Sequence, residues 1–387
     1  MIRNISVGID VGSSMTRVVV GEFVKGESSP KIIGIGEVPT LGVRHGYVTS
    51  FADATATIKK AVKQAEKTSE IKINRAFVSV GGITLRADTS AGSAIVSKAD
   101  SEVTMLDVHK ALEDSENNIN LSNKKVIQII PLAYRLDGKE VLGRLEGSVG
   151  NKLEVKALFI TCSLQHFEDL IEVIAEAGVE TIDVVASPVS ASLVALSKKQ
   201  KIVGSALVNI GSETVSLAVF ENETLIALNS FSIGGTDITN DIALGMKVTL
   251  EEAENIKLGN NPQSLSKKKI DEIIEARLTD IFELVENHLK KIKRNELLPA
   301  GIVFVGGGAN TRGIEELSKN YLKLPSKVGN TEMFGTMKTK LKDPAWFTVL
   351  GLLLNSRNKE AYKEGSFSNF MKDIKSALKS SLKQLMP

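Results

Sequence analysis

Two stretches of the sequence share one pattern and decide the fold: SVGIDVGSSMTRVVV at residues 6–20 and SALVNIGSETVSLAV at residues 205–219. Aligned on Gly12 and Gly211, each contains an apolar strand, a turn of small residues that begins with glycine, and a second apolar strand. This pattern predicts two β-hairpins of the same design. Glycine, serine and threonine at a hairpin tip let backbone N–H groups and hydroxyls converge on an anion. The duplication therefore predicts a phosphate chain held between two related lobes.

Composition agrees with a two-domain protein. The chain has 387 residues, of which 42% are hydrophobic and 24% charged, as in ordinary soluble proteins. Its net charge of +2 gives no global attraction to nucleic acid or membrane. Cys162 is the only cysteine, which excludes an internal disulfide and a thiolate zinc cluster. The amino terminus has no apolar signal core, and the late apolar run at 345–354 is half a membrane span, so we expect a cytoplasmic protein.

Hydrophobic periodicity predicts the other elements. After the first hairpin we expect a strand at 31–36, a helix at 52–67 and a strand at 76–80. Residues 81–163 change to short strands, at 126–132 and 155–162, around one helix at 107–116, which indicates an inserted subdomain. A helix at 165–177 and a strand at 181–185 lead to the second hairpin. Residues 236–261 and 266–294 are predicted to be mainly helical.

A third glycine-rich turn follows in GIVFVGGGA at residues 301–309, between a buried strand and a helix predicted from Ile314. Three adjacent glycines let a ring or ribose lie against the backbone, and the following helix terminus adds a partial positive field. A lone triple glycine often serves only close chain packing. Its position after the two hairpins makes it a candidate nucleotide-binding turn.

The order of these three turns resembles the actin, sugar kinase and chaperone ATPase superfamily. Further motifs resemble the FtsA family of bacterial division proteins. SIGGTDITNDIALG at 232–245 with EEAENIK at 251–257 is similar to the family's segment between phosphate and adenosine loops, and GGGANTRGIEE at 306–316 to its adenosine motif. FVSVGG at 77–82 and VIQIIP at 126–131 are similar to its relocated subdomain. The resemblance covers essentially the whole chain.

This resemblance implies an α/β, two-lobed, actin-like ATPase fold of duplicated ribonuclease-H-like domains, with an FtsA-type insertion and a C-terminal amphipathic helix. The implied parts are the start of subdomain 1A with phosphate loop 1 (1–82), inserted subdomain 1C (83–163), more of 1A (164–200), subdomain 2A with phosphate loop 2 (201–232), subdomain 2B (233–297), the adenosine loop of 2A (298–330), the end of 1A (331–354), a linker (355–365) and a membrane-targeting helix (366–387).

The resemblance also implies that ATP and Mg²⁺ bind between the lobes. Asp10 would orient magnesium-bound water, since a carboxylate suits a hard cation that keeps most of its waters. Arg17 would supply charge where family members often have a lysine at the position of Met15. Glu254 and Lys257, three apart on one helix, are also implied nucleotide contacts. The alternative is that they form only a surface ion pair. The implied nucleotide contacts are Asp10, Gly12, Ser13, Ser14, Arg17, Asn209, Gly211, Ser212, Glu213, Gly234, Gly235, Glu254, Lys257, Gly306, Gly307 and Gly308.

The second hairpin departs from the family pattern of an aspartate followed by small residues. Asn209 is neutral and helps magnesium less than a carboxylate does, and Glu213 is expected to add negative charge near the γ-phosphate. Phosphoryl transfer depends on positioned water and on neutralised charge. We therefore expect ATP binding with slow or absent turnover.

The C-terminal residues 366–387 form one apolar stripe at helical spacing. Four lysines and one aspartate give this stretch a side-chain charge of +3. Such a helix is typical of a segment that lies in the headgroup region of anionic lipid, as the family's terminal helix does; a core-facing or partner-binding helix would show the same pattern. The apolar residues are Phe367, Phe370, Met371, Ile374, Leu378, Leu382 and Leu385, and the flanking lysines are Lys372, Lys375, Lys379 and Lys383.

Other charged and titratable groups give weaker signals. The four histidines are isolated, which favours structural or solvated roles: His45, His109, His166 and His288. The basic runs at 267–269 and 290–294 are interpreted as solvated helix faces, with no nucleic-acid binding. They fall in the subdomain that, in the resembled family, meets FtsZ and its acidic C-terminal tail.

The function expected from the resemblance is that of a structural adaptor. It would bind ATP, associate with itself into filaments, anchor the FtsZ ring to the inner face of the membrane at the septum, and recruit later divisome proteins. One alternative is an adaptor of another membrane machine, similar to the pilus protein PilM, whose family lacks a comparable terminal helix. The other is a sugar or acetate kinase, which would want a catalytic aspartate where Asn209 stands.

Overall fold

The computed structural model describes residues 4–24, 29–260, 265–331, 333–334 and 339–364. The predicted membrane helix at 366–387 lies outside these residues. The strands are β1 (Asn4–Val11), β2 (Met15–Phe23), β3 (Lys31–Pro39), β4 (Val43–Arg44), β5 (Tyr47–Val48), β6 (Arg75–Val80), β7 (Arg86–Ile95), β8 (Lys124–Leu136), β9 (Lys139–Glu140), β10 (Lys152–Ser163), β11 (Glu180–Ala186), β12 (Ser205–Ile210), β13 (Val215–Glu221), β14 (Thr224–Phe231), β15 (Ile302–Val305) and β16 (Ser326–Val328). The α-helices are α1 (Phe51–Ser69), α2 (Met105–Asn117), α3 (Leu164–Glu176), α4 (Ser187–Ala195), α5 (Lys198–Val203), α6 (Gly235–Met246), α7 (Leu250–Lys257), α8 (Lys267–Lys291), α9 (Ile314–Leu322) and α10 (Phe347–Glu364).

The two lobes are built on matching five-stranded sheets. The first lobe has the order β11-β6-β1-β2-β3, and the second has β16-β15-β12-β13-β14. In each sheet, an antiparallel hairpin supplies two neighbouring strands. The strand on the other side of the hairpin's first strand, β6 or β15, pairs parallel to it. Asp10 pairs with Arg17, and Asn209 pairs with Ser216, so the hairpin tips occupy equivalent positions. The two predicted hairpins are confirmed.

Helices α4 and α10 pack between the sheets. Ser190 on α4 donates a hydrogen bond of 2.7 Å to the Thr348 carbonyl at the start of α10. One apolar cluster joins α10 to residues of both sheets, including Val349 from α10, Ile9 from β1 and Leu207 from β12. The other face of the second sheet packs on α6 and α8 in a separate cluster. Burial of continuous apolar surface therefore fixes the two hairpins relative to each other.

The inserted segment forms its own sheet, in the order β7-β10-β8-β9, with α2 packed on it. Burial alone would raise the pKa of Asp107 in the first turn of α2, but hydrogen bonds from Thr104 and Ser97 lower it to about 2. The sequence did not predict β7, because its residues RADTSAGSAI are mostly small or polar and give little apolar alternation. The insertion is thus a small unit with a separate core.

Two predicted segments have more regular structure than the sequence pattern shows. Helix α10 continues to Glu364, so the first ten residues of the predicted linker at 355–365 are helical. The segment NSRNKEAYKE is polar but contains several good helix formers. Residues 236–261, predicted to be mainly helical, form two helices: α6 ends where Lys247 adopts a left-handed conformation, and Thr249 caps α7. Among the described residues, we find no helix both long and apolar enough to cross a bilayer.

Candidate functional site

A cavity of about 380 Å³ lies between the two lobes. Both hairpin tips, the triple-glycine turn, the first turn of α6 and the end of α7 contribute to its walls. Fourteen of the sixteen predicted contacts line it, namely Asp10, Gly12, Ser13, Ser14, Arg17, Asn209, Gly211, Ser212, Gly235, Glu254, Lys257, Gly306, Gly307 and Gly308. Gly234 and Glu213 do not line the cavity.

The two hairpin tips close in the same way. The Gly12 N–H donates to the Met15 carbonyl at 3.2 Å, and the Gly211 N–H donates to the Thr214 carbonyl at 2.8 Å. Each bond turns the small residues after the glycine toward the cavity. The tips therefore present hydroxyls and backbone dipoles from opposite sides, an arrangement suited to an anion.

Asp10 is the carboxylate at the end of β1, beside the first tip. Burial raises its pKa, while a hydrogen bond from the Ser79 hydroxyl on β6 and the charge of Arg17 act in the opposite direction. Within the described part of the chain, no three histidine, cysteine or acidic side chains are grouped to hold a metal ion. The carboxylate chemistry of Asp10 would suit a hard cation that keeps most of its waters.

Arg17 is positioned by two side chains at the edge of the cavity. Its Nε donates to Glu37 Oε1 at 2.9 Å, and its guanidinium lies over the Trp346 ring, 5.4 Å from the centroid. Lys340 also pairs with Glu37 and lies over the same ring at 5.5 Å. These contacts fix a positive group at the edge of the cavity, beside the first hairpin tip.

Lys257 is buried, with 9% of its surface exposed. Its Nζ donates to the Gly235 carbonyl at 3.1 Å, to Thr239 Oγ1 at 2.9 Å and to Glu254 Oε2 at 2.7 Å. The network joins α7 to the first turn of α6 at the cavity wall. The alternative of a solvated surface pair is therefore wrong for Lys257.

The glycines of the triple-glycine turn differ in the space around them: one is packed against the second hairpin and another borders open space. A Cβ on Gly308 would lie 2.3 Å from Ile210 Cγ2, so this glycine permits close approach to the second hairpin. A Cβ on Gly307 would meet no atom within 4 Å, although Gly307 lines the cavity. Gly307 thus leaves room that a ligand can occupy.

Glu213 contacts the first lobe. Its carboxylate accepts hydrogen bonds from Arg44 Nε at 2.5 Å and from the His45 N–H at 2.6 Å, both in the first lobe. The Glu213 side chain thus turns to these donors and does not line the cavity, and the expectation of negative charge near a bound γ-phosphate stays a prediction. Gly234 has a packing role, since a Cβ there would lie 2.5 Å from the Ser212 carbonyl oxygen.

Several cavity residues were missed by the sequence analysis: Ser79, His166, Ser187 and Thr311. His166 Nε2 hydrogen-bonds to the Gly81 carbonyl at 3.1 Å, its ring lies 4.7 Å from that of Tyr47, and burial lowers its pKa. Thr311 Oγ1 and His166 Nδ1 are buried without a protein partner among the described residues. His166 stands in no local motif, so only tertiary structure shows that it reaches the cavity. Thr311 lies in the motif at 306–316, but not among its glycines.

Two family models match the chain. The model described as "Cell division protein FtsA" matches residues 206–351, and "SHS2 domain inserted in FTSA" matches residues 82–161. Curated relatives named cell division protein FtsA include those of Bacillus subtilis, 30% identical over 90% of this chain and 82% of the relative, and Pseudomonas aeruginosa, 26% identical over 92% and 90%. The Escherichia coli K12 relative is 23% identical over 91% of this chain and 90% of its own length.

Solved structures show the same fold. The PilM-PilN type IV pilus biogenesis complex has a chain with a TM-score of 0.69 and 18% identity, covering 90% of this chain and 98% of that one. MreB5 of Spiroplasma citri bound to ADP has a TM-score of 0.55 and 13% identity, covering 94% and 99%. These likenesses and the inserted-domain match confirm the predicted two-lobed actin-like ATPase fold with its insertion.

Proposed function

Because the chain belongs to the FtsA family of cell division proteins, we propose that it is an ATP-binding adaptor that forms filaments on the inner face of the cytoplasmic membrane. There it anchors the FtsZ ring and recruits later divisome proteins at the septum. The observation that carries the nucleotide part is the pair of equivalent hairpin tips facing one cavity, with the triple-glycine turn and Lys257 on its wall.

The cavity residues divide into a phosphate side and a nucleoside side. Ser13 and Ser14, with the backbone of Gly12, bind phosphate oxygens from one lobe, and Gly211 and Ser212 do so from the other. Arg17 would supply a fixed positive charge opposite the phosphates, and Asp10 would hold a water of a magnesium ion. When bound, the ion neutralises phosphate charge.

The nucleoside side consists of Glu254, Lys257 and the turn at Gly306, Gly307 and Gly308. Lys257 is already paired with Glu254, so the pair offers a carboxylate oxygen to the ribose hydroxyls while the lysine holds it in place. The space beside Gly307 receives the base or sugar.

Gly307→Leu tests this assignment. A leucine side chain there enters the open space, so ATP affinity should fall at least tenfold, a loss of about 1.4 kcal/mol or more. Equilibrium titration with a fluorescent ATP analogue measures the affinity. Gly307→Ala is the matched control and should bind much closer to wild type. The thermal midpoint without nucleotide should be similar in all three proteins; equal ATP affinity in all three would contradict the assignment.

We propose that ATP turnover is slow, chiefly on the basis of Asn209. Asn209 lines the cavity at the end of β12 and is neutral, so it activates water and supports magnesium less well than a carboxylate. Asn209→Asp should raise the rate of phosphate release by about tenfold or more, with Asn209→Ala as the control that only removes the amide. Phosphate release is measured at saturating ATP. Brisk release by wild type would contradict the proposal.

We assign membrane attachment to residues 366–387, on sequence alone. The apolar stripe buries in the headgroup region, and the lysines attract anionic lipid at about 1 kcal/mol each. Joint replacement of Phe370 and Ile374 by glutamate should abolish co-sedimentation with anionic vesicles and the recruitment of FtsZ to them. Replacing Ser376 and Ser380, which lie off the apolar stripe, by glutamine is the matched control. Vesicle binding retained by the glutamate variant would refute the assignment.

A further inference from the structure

The turn between β4 and β5 lies where the two hairpin tips approach each other. His45 and Gly46 have φ values of 50° and 86°, so both residues of this two-residue connection are left-handed, as in a type I′ turn. Non-glycine residues rarely adopt that conformation and need supporting contacts to hold it. The turn carries two successive backbone N–H groups, and each has a partner on a different lobe.

The first N–H points to the second lobe. The His45 N–H donates to Glu213 Oε2 at 2.6 Å, and Arg44 Nε donates to the other carboxylate oxygen at 2.5 Å. The Glu213 side chain is 11% exposed, whereas that of Arg44 is 67% exposed. A carboxylate largely removed from water, with a backbone donor, makes a stronger bond than an exposed ion pair does. The backbone contact therefore contributes more than the arginine.

The second N–H points to the first hairpin tip. The Gly46 N–H donates to Ser13 Oγ at 3.0 Å. That bond occupies one lone pair of the hydroxyl and leaves its hydrogen to be donated elsewhere. Ser13 lines the cavity, so the hydrogen can be donated to a phosphate oxygen.

The turn is itself firmly attached to the first lobe. A Cβ on Gly46 would lie 2.5 Å from Gly82 Cα, so the turn packs directly on the backbone after β6. Tyr47 donates from its hydroxyl to Thr84 Oγ1 at 3.0 Å, and the Ser163 N–H donates to the same oxygen at 3.1 Å. The turn thus moves with the first lobe, and the bonds of Glu213 to it connect lobe to lobe.

We propose that Glu213 is a latch that holds the two lobes closed through the turn of Arg44, His45 and Gly46, and that this closure positions the Ser13 hydroxyl for a nucleotide phosphate. The second part rests on the proposed ATP site. Glu213 is a positioning residue, since it acts through the turn and does not face the cavity. Because coupling is reciprocal, a phosphate on Ser13 also favours the closed lobes.

The latch is tested first without nucleotide, by the distance between spin labels on the two lobes. Lys60→Cys on α1 and Glu251→Cys on α7 place the labels at exposed positions. Burial raises the pKa of the native Cys162 thiol to about 12, so it resists labelling. Pulsed electron-electron double resonance should give one narrow distance distribution for the parent protein and a longer or broader one for Glu213→Gln.

Glu221→Gln is the matched control, because Glu221 is on β13 of the same lobe and pairs with Arg294 at 2.6 Å within that lobe. It should keep the parent distribution. Arg44→Gln, changed at an exposed side chain, should shift the distribution in the same direction as Glu213→Gln but less. It remains informative if Glu213→Gln fails to fold. Parent-like distributions in both latch variants would overturn the proposal.

ATP affinity then tests the role of Ser13. Glu213→Gln should weaken ATP binding by about tenfold, and Glu221→Gln should not. In a Ser13→Ala background, the Glu213 substitution should cause little further loss, because both changes act through one hydroxyl. Full additivity would overturn the link to Ser13. If the parent binds no ATP, the proposed function fails, and the distance measurement still decides the latch.

Discussion

The structure depends on two antiparallel hairpins whose own strands pair in equivalent registers. Each hairpin has a glycine as the first residue of its tip. This pairing places Gly12 and Gly211 at equivalent points of two matching sheets. The apolar cluster around α4 and α10 joins the sheets, so that the tips face each other across one cavity. If either register slipped by one residue, the alternation of side chains would reverse and the cavity would lose Asp10 or Asn209 from its wall. Anion binding thus follows from strand pairing and core packing together.

The sequence was sufficient where one local pattern determines the structure. The hairpins, the helix α1 and the strand before the triple glycine have strong apolar periodicity and were predicted within a few residues. Strand β7 was missed because its residues are small and polar, and its place in the sheet is decided by β10. Polarity did not show that residues 355–364 are helical, because it is shared by linkers and by many helices.

The residues of the candidate site were likewise predicted from sequence only in part. Most residues of the turns were found from sequence, whereas His166 reaches the cavity from α3, which carries no recognisable motif. Ser79 and Thr311 lie within the motifs at 77–82 and 306–316 but gave no signal of their own. The direction of the Glu213 side chain could not be predicted, because it depends on Arg44 and His45 from a distant turn. Lys257 was ambiguous for a related reason: spacing predicts its pairing with Glu254, but only the packing of α6 shows that it is buried.

We propose that nucleotide binding, self-association and membrane attachment belong to one molecule. Filament formation would multiply weak individual tails into firm attachment through effective concentration. Electron microscopy of the full-length protein on an anionic lipid monolayer, with and without ATP, tests the three together. We predict filaments lying on the lipid with ATP and none without it. A monolayer bare of filaments in the presence of ATP, or equally covered in its absence, would contradict the claim.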